Sequence, residues 1–163
     1  MSSVSHKTYN LGEDDTKKFR CAIERVVGTF IKEVNLPTIN RIGLRYIDRC
    51  PIIKKDNRTF KEWYNSKFPL VDFEIADAET MAFRTIVKRG DYKLGYVETL
   101  TQVPPKGEYK LILDFDCFAV DIKASEYLTT TDALHVLISD EYAKTIKGEE
   151  GPLYRSMKEG SWE

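Results

Sequence analysis

The chain has 163 residues, 42% of them hydrophobic, which is enough apolar material for the core of one ordinary domain. Its 25 lysines and arginines are balanced by 26 aspartates and glutamates, so the chain lacks the excess basicity on which non-specific nucleic-acid binding depends. No stretch approaches the roughly 20 apolar residues of a membrane span, and the amino-terminal residues lack a signal-peptide core, so we expect a soluble, cytoplasmic protein without membrane partners.

The first predicted element is an amphipathic helix from about Asp15 to Val34. Its apolar side chains recur three and four positions apart, which places them on one side of the helix. They are Phe19, Ile23, Val26, Val27, Phe30, Ile31 and Val34. Acidic residues at 13–15 stand at the start of the helix, where its dipole is positive, and Pro37 follows its end. These start and stop signals agree with the hydrophobic period.

A strand is predicted over residues 39–50, where apolar and polar positions alternate. One side holds Ile42, Leu44 and Tyr46, and the other holds Arg41, Arg45 and Arg49 together with Gly43 and Ile47. A capping box at Thr59–Glu62 then predicts a short helix that ends near Pro69.

The second half of the chain predicts an antiparallel meander and a closing helix. The strands lie near Met81–Lys88, Tyr92–Gln102 and Glu108–Lys123, with turn sequences at 89–91 and 104–107. The closing helix starts at Thr130 or Thr131 as N-cap, ends at Lys147 and Gly148, and carries apolar Leu134, Leu137, Ile138, Tyr142 and Ile146.

Together these elements predict an α+β fold. We expect an antiparallel sheet of about four or five strands, with two long helices packed on one face. Residues 1–148 should form this single domain, and residues 149–163 a C-terminal tail.

Two acids, Asp114 and Asp116, interrupt the apolar run at 111–120 and share one strand face. Unpaired buried carboxylates cost several kcal/mol, so they need partners. One reading is a divalent-metal site of a phosphate-ester hydrolase, although the sequence offers no histidine-rich element to complete it. We favour pairing with the arginines of a neighbouring strand, which are bidentate donors at matching spacing.

Other reactive side chains give weaker signals. His135 is the one histidine placed to act as a general base, but a hydrogen-bonded structural role is favoured. Cys21, Cys50 and Cys117 lack metal-ligand spacing and are expected to be reduced thiols. No catalytic residue, metal site or cofactor is therefore predicted.

The candidate site is the charged sheet face opposite the helices. If the strand registers align, this face holds Arg41, Arg45, Arg84, Glu98, Asp114 and Asp116. It can be a structural ion-pair ladder, a recess for a small polar ligand or a contact surface for a protein partner, with nucleic acid not favoured. The favoured function is a non-catalytic binding or regulatory domain. The alternatives are a metal-dependent hydrolase using Asp114 and Asp116, and an adaptor that docks through its C-terminal tail.

The segment RIGLRYIDRC at residues 41–50 resembles the signature R-[IL]-G-L-R-Y-[IV]-N-R of a sporadically distributed, functionally uncharacterised bacterial and archaeal family. The element order after it is also similar. Asp48 stands where the family usually has Asn, and the family's preceding strand and helix are missing, which implies a shortened member or a trimmed chain. The resemblance implies a single α+β domain of a prokaryotic mobile-element or host-defence system, and it brings no established activity.

Overall fold

The computed structural model describes Tyr9 and residues 18–52, 57–65, 67, 77–103, 108–148, 151–152 and 155. In chain order the helices and strands are α1 (Phe19–Val34), β1 (Thr38–Ile52), α2 (Asn57–Trp63), β2 (Thr80–Arg89), β3 (Tyr92–Val103), β4 (Glu108–Lys123) and α3 (Tyr127–Thr145). The predicted α+β class with an antiparallel sheet is confirmed.

The four strands form one sheet in the order β1-β4-β3-β2, and every neighbouring pair is antiparallel. Side chains alternate between its two faces, as the strand period requires. The inner face carries the core and includes Leu44, Tyr46, Leu94, Tyr96, Leu100, Leu111, Leu113, Phe115 and Cys117, all buried. The long apolar run of β4 is therefore explained by its central position in the sheet.

Helix α3 packs on the inner face, as predicted. Leu134 and Ile138 are completely buried, and Tyr142 makes an edge-to-face contact with Phe115 of β4. At its end α3 turns away through Lys147 and Gly148, whose φ angles of 63° and 72° are left-handed. Glycine adopts this conformation without strain, which explains its place after the helix.

The predicted start of this helix is wrong. Thr130 and Thr131 are not N-caps but buried residues inside α3, and the Thr131 hydroxyl donates to the Tyr127 carbonyl. A short 3₁₀ turn at Ala124–Glu126 leads directly from β4 into α3. The helix therefore begins at Tyr127, before either threonine. Threonine hydroxyls that bond back four residues stand inside helices as well as at caps.

Helix α1 is less buried than its sequence pattern predicts. Phe19 and Ile23 pack partly against the core, but none of its residues is fully buried. Val26, Phe30 and Val34 are 67%, 56% and 51% exposed. Phe19 and Ile23 of α1 thus join α3 over the core, whereas Val26, Phe30 and Val34 face outward.

Other boundaries differ by a few residues. Helix α2 begins at Asn57, before the predicted capping threonine, and α1 begins at Phe19. The acidic residues predicted to open α1, the turn at 104–107 and most of the predicted tail at 149–163 lie outside the described residues. Gly90, at φ 60°, and Asp91 form a two-residue turn between β2 and β3, inside the turn predicted at 89–91.

Candidate functional site

The face of the sheet that points away from α3 is the outer face. Between the levels of Val120 and Lys110 its residues include Arg41, Gly43, Arg45, Ile47, Arg49, Thr80, Ala82, Arg84, Ile86, Lys88, Lys93, Gly95, Val97, Thr99, Thr101, Lys110, Ile112, Asp114, Asp116, Phe118 and Val120. None of the helices α1, α2 and α3 packs on the outer face. Of the six residues predicted for the charged face, all except Glu98 lie there.

Both aspartates of the outer face are paired with arginines. Arg45 donates from Nε and Nη2 to the two oxygens of Asp114, at 2.9 and 2.6 Å. Arg41 donates from Nη2 to both oxygens of Asp116, at 3.1 and 2.9 Å. The hydrogen bonds and charge of Asp114 raise the pKa of Arg45, so this guanidinium stays charged. The predicted arginine pairing is observed.

These ion pairs occupy the carboxylate oxygens of Asp114 and Asp116, which would have to bind the metal ion of the alternative hydrolase site. Within the described part of the chain, no group of three histidine, cysteine, aspartate or glutamate residues is arranged to hold a metal ion. The guanidinium of Arg41 also lies 4.4 Å above the Phe118 ring, a cation–π contact that fixes its position on the face.

Five further cations of the outer face are exposed and form no ion pair in the part of the chain that is described. They are Arg49, Arg84, Lys88, Lys93 and Lys110. Arg84, the predicted site residue on β2, therefore does not join the ion pairs of β1 and β4. Lys88 and Lys93 stand directly opposite each other, a like-charged cross-strand pair that costs stability.

Charge is therefore segregated on this molecule. The outer face carries seven arginines and lysines against two aspartates, while the whole chain has a net charge of −1. The balanced composition correctly excludes a uniformly basic protein, but it does not describe this surface. Only the strand registers bring these cations together.

Three aliphatic side chains lie at neighbouring levels of the outer face. Ile47 and Ile86 stand on the edge strands β1 and β2 and are 52% and 59% exposed, and Val97 stands on β3, partly buried. The ion-paired Asp114 of β4 lies between Ile47 and Val97. Gly95 leaves a depression between Asp116 and Ile86. A Cβ added there would meet no atom closer than 3.5 Å, so the depression has room for an added group.

Glu98 is not on the outer face, and that prediction is wrong. It points into the core and is completely buried, where one carboxylate oxygen accepts from the Tyr96 hydroxyl and the Lys67 backbone N–H, at 3.1 and 2.9 Å. Glu98 alternates along β3 with Leu94, Tyr96 and Leu100, which all face inward. This alternation was the signal in the sequence that could have placed Glu98 inside.

Asp48 is a second acid on the apolar side of its strand, and sequence reasoning gave it no role. It faces inward on β1, at the level of Leu113. Burial raises the pKa of Asp48 from 3.8 to about 6, and no hydrogen bond compensates it in the described part of the protein. Its negative charge also helps to raise the pKa of the Cys50 thiol, chiefly a result of burial, to about 12.

His135 is fastened in an aromatic cluster. Its Nδ1 lies 2.8 Å from the Tyr46 hydroxyl, and its ring stacks on Tyr9 at 4.0 Å. The Tyr9 hydroxyl and the Arg20 guanidinium both donate to Asp132, one turn earlier on α3. These contacts join Tyr9, α1, β1 and α3, which accords with the structural role predicted for His135.

A shallow cleft of about 450 Å³ lies between α3 and the β2–β3 turn. Tyr92, Val136 and Asp140 line it, together with Arg89, which is held by Glu141 at 2.9 Å. The cleft has an apolar floor but no converging set of reactive groups. The outer face therefore remains the candidate site.

Comparisons with models of protein families, with curated proteins and with solved structures found no match for this chain. The likeness of residues 41–50 to a prokaryotic signature therefore stays a prediction. No helix in the described ranges is both long and apolar enough to cross a membrane.

Proposed function

We propose that this protein is a non-catalytic binding domain whose outer face recognises an anionic macromolecular partner. The observation that carries the proposal is the set of five exposed cations without an ion pair, arranged around two aspartates that arginines already neutralise. A surface of one sign raises the local concentration of an oppositely charged partner and orients its approach.

The unpaired cations contribute little to the fold. They lie on the solvated face, and Lys88 repels Lys93 across the β2–β3 ladder. Exposed charges of this kind are dispensable for packing, whereas a binding surface needs them. The repulsion is relieved when an anionic group of a partner lies between the two ammonium groups.

The two ion pairs give the face a fixed arrangement. A bidentate carboxylate holds the guanidinium of Arg45 in one plane, and Phe118 holds that of Arg41. These arginines retain donors for a partner, because each guanidinium has five N–H groups and its carboxylate uses only some of them.

The cellular setting belongs to the same proposal. Cys21, Cys50 and Cys117 are free thiols, as the reducing cytoplasm favours. The resemblance at residues 41–50 supports a prokaryotic protein of a mobile-element or host-defence system.

The proposal is tested by retention on a heparin resin at pH 7 and low salt, with heparin as a simple polyanion. We expect the wild-type protein to be retained despite its net charge of −1, and the Lys88→Glu/Lys93→Glu variant to elute in the flow-through. Arg25→Glu/Lys32→Glu is the matched control, because it changes the charge of the whole chain equally but on α1. The proposal fails if the wild type is not retained, or if the control loses retention as fully.

A further inference from the structure

We infer that a second copy of the chain docks on the free edge of β1, so that two sheets join about a twofold axis at Leu44. This surface is separate from the outer face of the proposed function. Three observations carry the inference: the unpaired edge of β1, the exposed apolar stripe of α1 beside that edge, and the self-complementary register of β1.

Strand β1 stands at one edge of the sheet. Its 15 residues run beside β4, and no strand in the described ranges pairs with its other side. The backbone N–H and C=O groups on the free side of an edge strand can pair with a further strand. A twofold axis pairs one segment with itself in the antiparallel direction, and twofold dimers are the commonest oligomers.

Helix α1 runs along this edge. Phe19 contacts the Tyr9 ring, which stacks on His135. His135 in turn lies 2.8 Å from the Tyr46 hydroxyl, so α1 starts near the level of Tyr46 on β1. Three residues join the end of α1 to Thr38. A helix of 16 residues is about 24 Å long, and the strand from Thr38 to Tyr46 about 26 Å, so the two lengths agree.

Within the helical layer, α1 lies on the β1 side of α3. Asp132 of α3 binds Arg20 of α1, and His135 on the same flank reaches β1. The opposite flank of α3, with Leu137 and Asp140, faces the turn between β2 and β3. Helix α1 is therefore the element next to the free edge.

The apolar stripe of α1 is covered only in part. Phe19 and Ile23 pack against the core, whereas Val26, Phe30 and Val34, on the same side of the helix, are 67%, 56% and 51% exposed. The sheet ends at β1, so it does not continue beneath these three side chains. A second copy paired with β1 extends the sheet there, and apolar side chains that are half-exposed gain from the burial.

The arginines of β1 restrict the register. They recur every fourth residue on the outer face, at Arg41, Arg45 and Arg49. A twofold axis at an outer-face residue of this segment sets arginine against arginine, which is destabilising. An axis at Leu44 instead sets Arg45 against Gly43, and Arg41 against Ile47, of the second copy.

Asp48 distinguishes the two central registers that keep the arginines apart. An axis at Tyr46 sets the Asp48 carboxylate against Leu44 of the second copy, where it gains no donor. An axis at Leu44 sets Asp48 at the level of Asn40, whose side-chain amide is a donor. Within one chain no described residue hydrogen-bonds to Asp48, so the second copy supplies what the single chain lacks.

Charge does not oppose this contact. The two sheets join side by side, so their outer faces point the same way and do not meet. Arg41 and Arg45, at the junction, are neutralised by aspartates of β4 in their own chain. The like-charged Lys88 and Lys93 stand on β2 and β3, away from the junction.

Sedimentation velocity of the full chain, between about 1 and 100 μM at physiological salt, tests the inference. We expect a species of twice the chain mass of 18.9 kDa, in a fraction that grows with concentration. A monomer at every concentration overturns the inference.

Phe30→Ser tests the stripe of α1. It should weaken association about tenfold, because the ring is buried only in the dimer. Val136→Ser is the matched control, since Val136 is 57% exposed but lies on α3, away from the β1 edge. Unchanged association of Phe30→Ser, or an equal loss in both variants, overturns the inference.

A charge at position 47 tests the pairing of the strands. Ile47 faces Arg41 of the second copy, so Ile47→Lys should weaken association about tenfold, whereas Ile47→Glu should preserve or strengthen it. Within one chain Ile47 is paired with Asp114 of β4, so the effects of the two charges on the fold have the opposite order. Circular dichroism confirms that the variants fold. Equal association of the two variants overturns the inference.

The outcomes are distinct from those of the heparin experiment. A monomer that is retained on heparin overturns the second-copy contact and leaves the proposed function standing. A dimer that passes through the heparin resin overturns the proposed function and supports the contact.

Discussion

Each aspartate of the outer face meets an arginine that is not its direct neighbour across the ladder. The register places Arg45 opposite Asp116, yet Arg45 binds Asp114 and Arg41 binds Asp116. Long guanidinium side chains reach diagonally across strands whose twist turns them that way. Spacing in the sequence predicts that these groups pair, but the choice of partner depends on the twist.

Glu98 and Asp48 show the limit of reading charge as exposure. Both acids occupy positions whose strand neighbours at i−2 and i+2 are apolar or aromatic, so parity places them inside. A carboxylate at such a position is stabilised when donor groups replace the water that it loses. The Tyr96 hydroxyl and the Lys67 N–H do so for Glu98. Lys67 is remote from Glu98 in the sequence, so no local pattern predicts this second donor.

Asp48 should destabilise the folded protein near neutral pH. Its folded pKa of about 6 exceeds the unfolded value, so between about pH 4 and 6 the unfolded state loses its proton first and stability falls as pH rises. Asp48→Asn, the residue of the resembling signature, should stabilise the protein at pH 7.5 by about 1–3 kcal/mol and change little at pH 4.

Urea unfolding of both proteins across this pH range measures the effect. Asp140→Asn, which removes an exposed carboxylate of α3, is the control for the loss of one charge. A difference between Asp48→Asn and wild type that is the same at pH 4 and pH 7.5 would show that Asp48 is not desolvated.

At the level of elements, the hydrophobic period predicts well where helices and strands form. It predicts less well how much of each apolar surface is buried against other elements. The apolar stripe of α1 fits a helix, and the helix is present at Phe19–Val34. How much of the stripe reaches the core depends on how α1 is held against α3, through the Arg20–Asp132 ion pair and the Tyr127 hydroxyl on the Glu24 carbonyl. Both contacts join residues that are more than 100 positions apart in the sequence, so no local sequence pattern predicts them.

The exposed apolar side chains of α1 should be dispensable for the stability of the single chain. Phe30→Ser should change the free energy of unfolding by less than about 0.5 kcal/mol, because the ring is more than half exposed. Ile138→Ala, in the part of α3 that packs on the sheet, should cost about 2–5 kcal/mol through the cavity it leaves.

Denaturant unfolding of dilute, monomeric protein at one pH compares the two variants directly. A cost above about 2 kcal/mol for Phe30→Ser would mean that the ring is buried in solution. Near-equal effects of the two substitutions would contradict the division of the core described above.

For the whole molecule, the strand order creates a surface property that the composition hides. Alternation along β1 predicts an arginine side, and that prediction is confirmed. The addition of Arg84, Lys88, Lys93 and Lys110 to the same face requires the registers of three ladders. A shift of one residue in any of them would turn these side chains to the other face.

Reversing one charge of the outer face should improve stability while it weakens binding. Lys88→Glu replaces a like-charged cross-strand pair with an opposite one facing Lys93, so the free energy of unfolding should rise by about 0.2–1 kcal/mol. The melting temperature of this variant and its retention on heparin should therefore change in opposite directions. A fall in both would mean that Lys88 supports the fold.

Methyl NMR of isoleucine- and valine-labelled protein, during titration with a heparin-derived oligosaccharide, tests directly whether the outer face is the binding surface. The chain carries its own control, because exposed aliphatic residues lie on the outer face at Ile47, Ile86 and Val120, and on the helices at Val26, Val34 and Val136. We predict saturable shifts of the outer-face methyl groups and none of the helix set. Shifts confined to the helix set, or none at all, would contradict the assignment of the outer face as the binding surface.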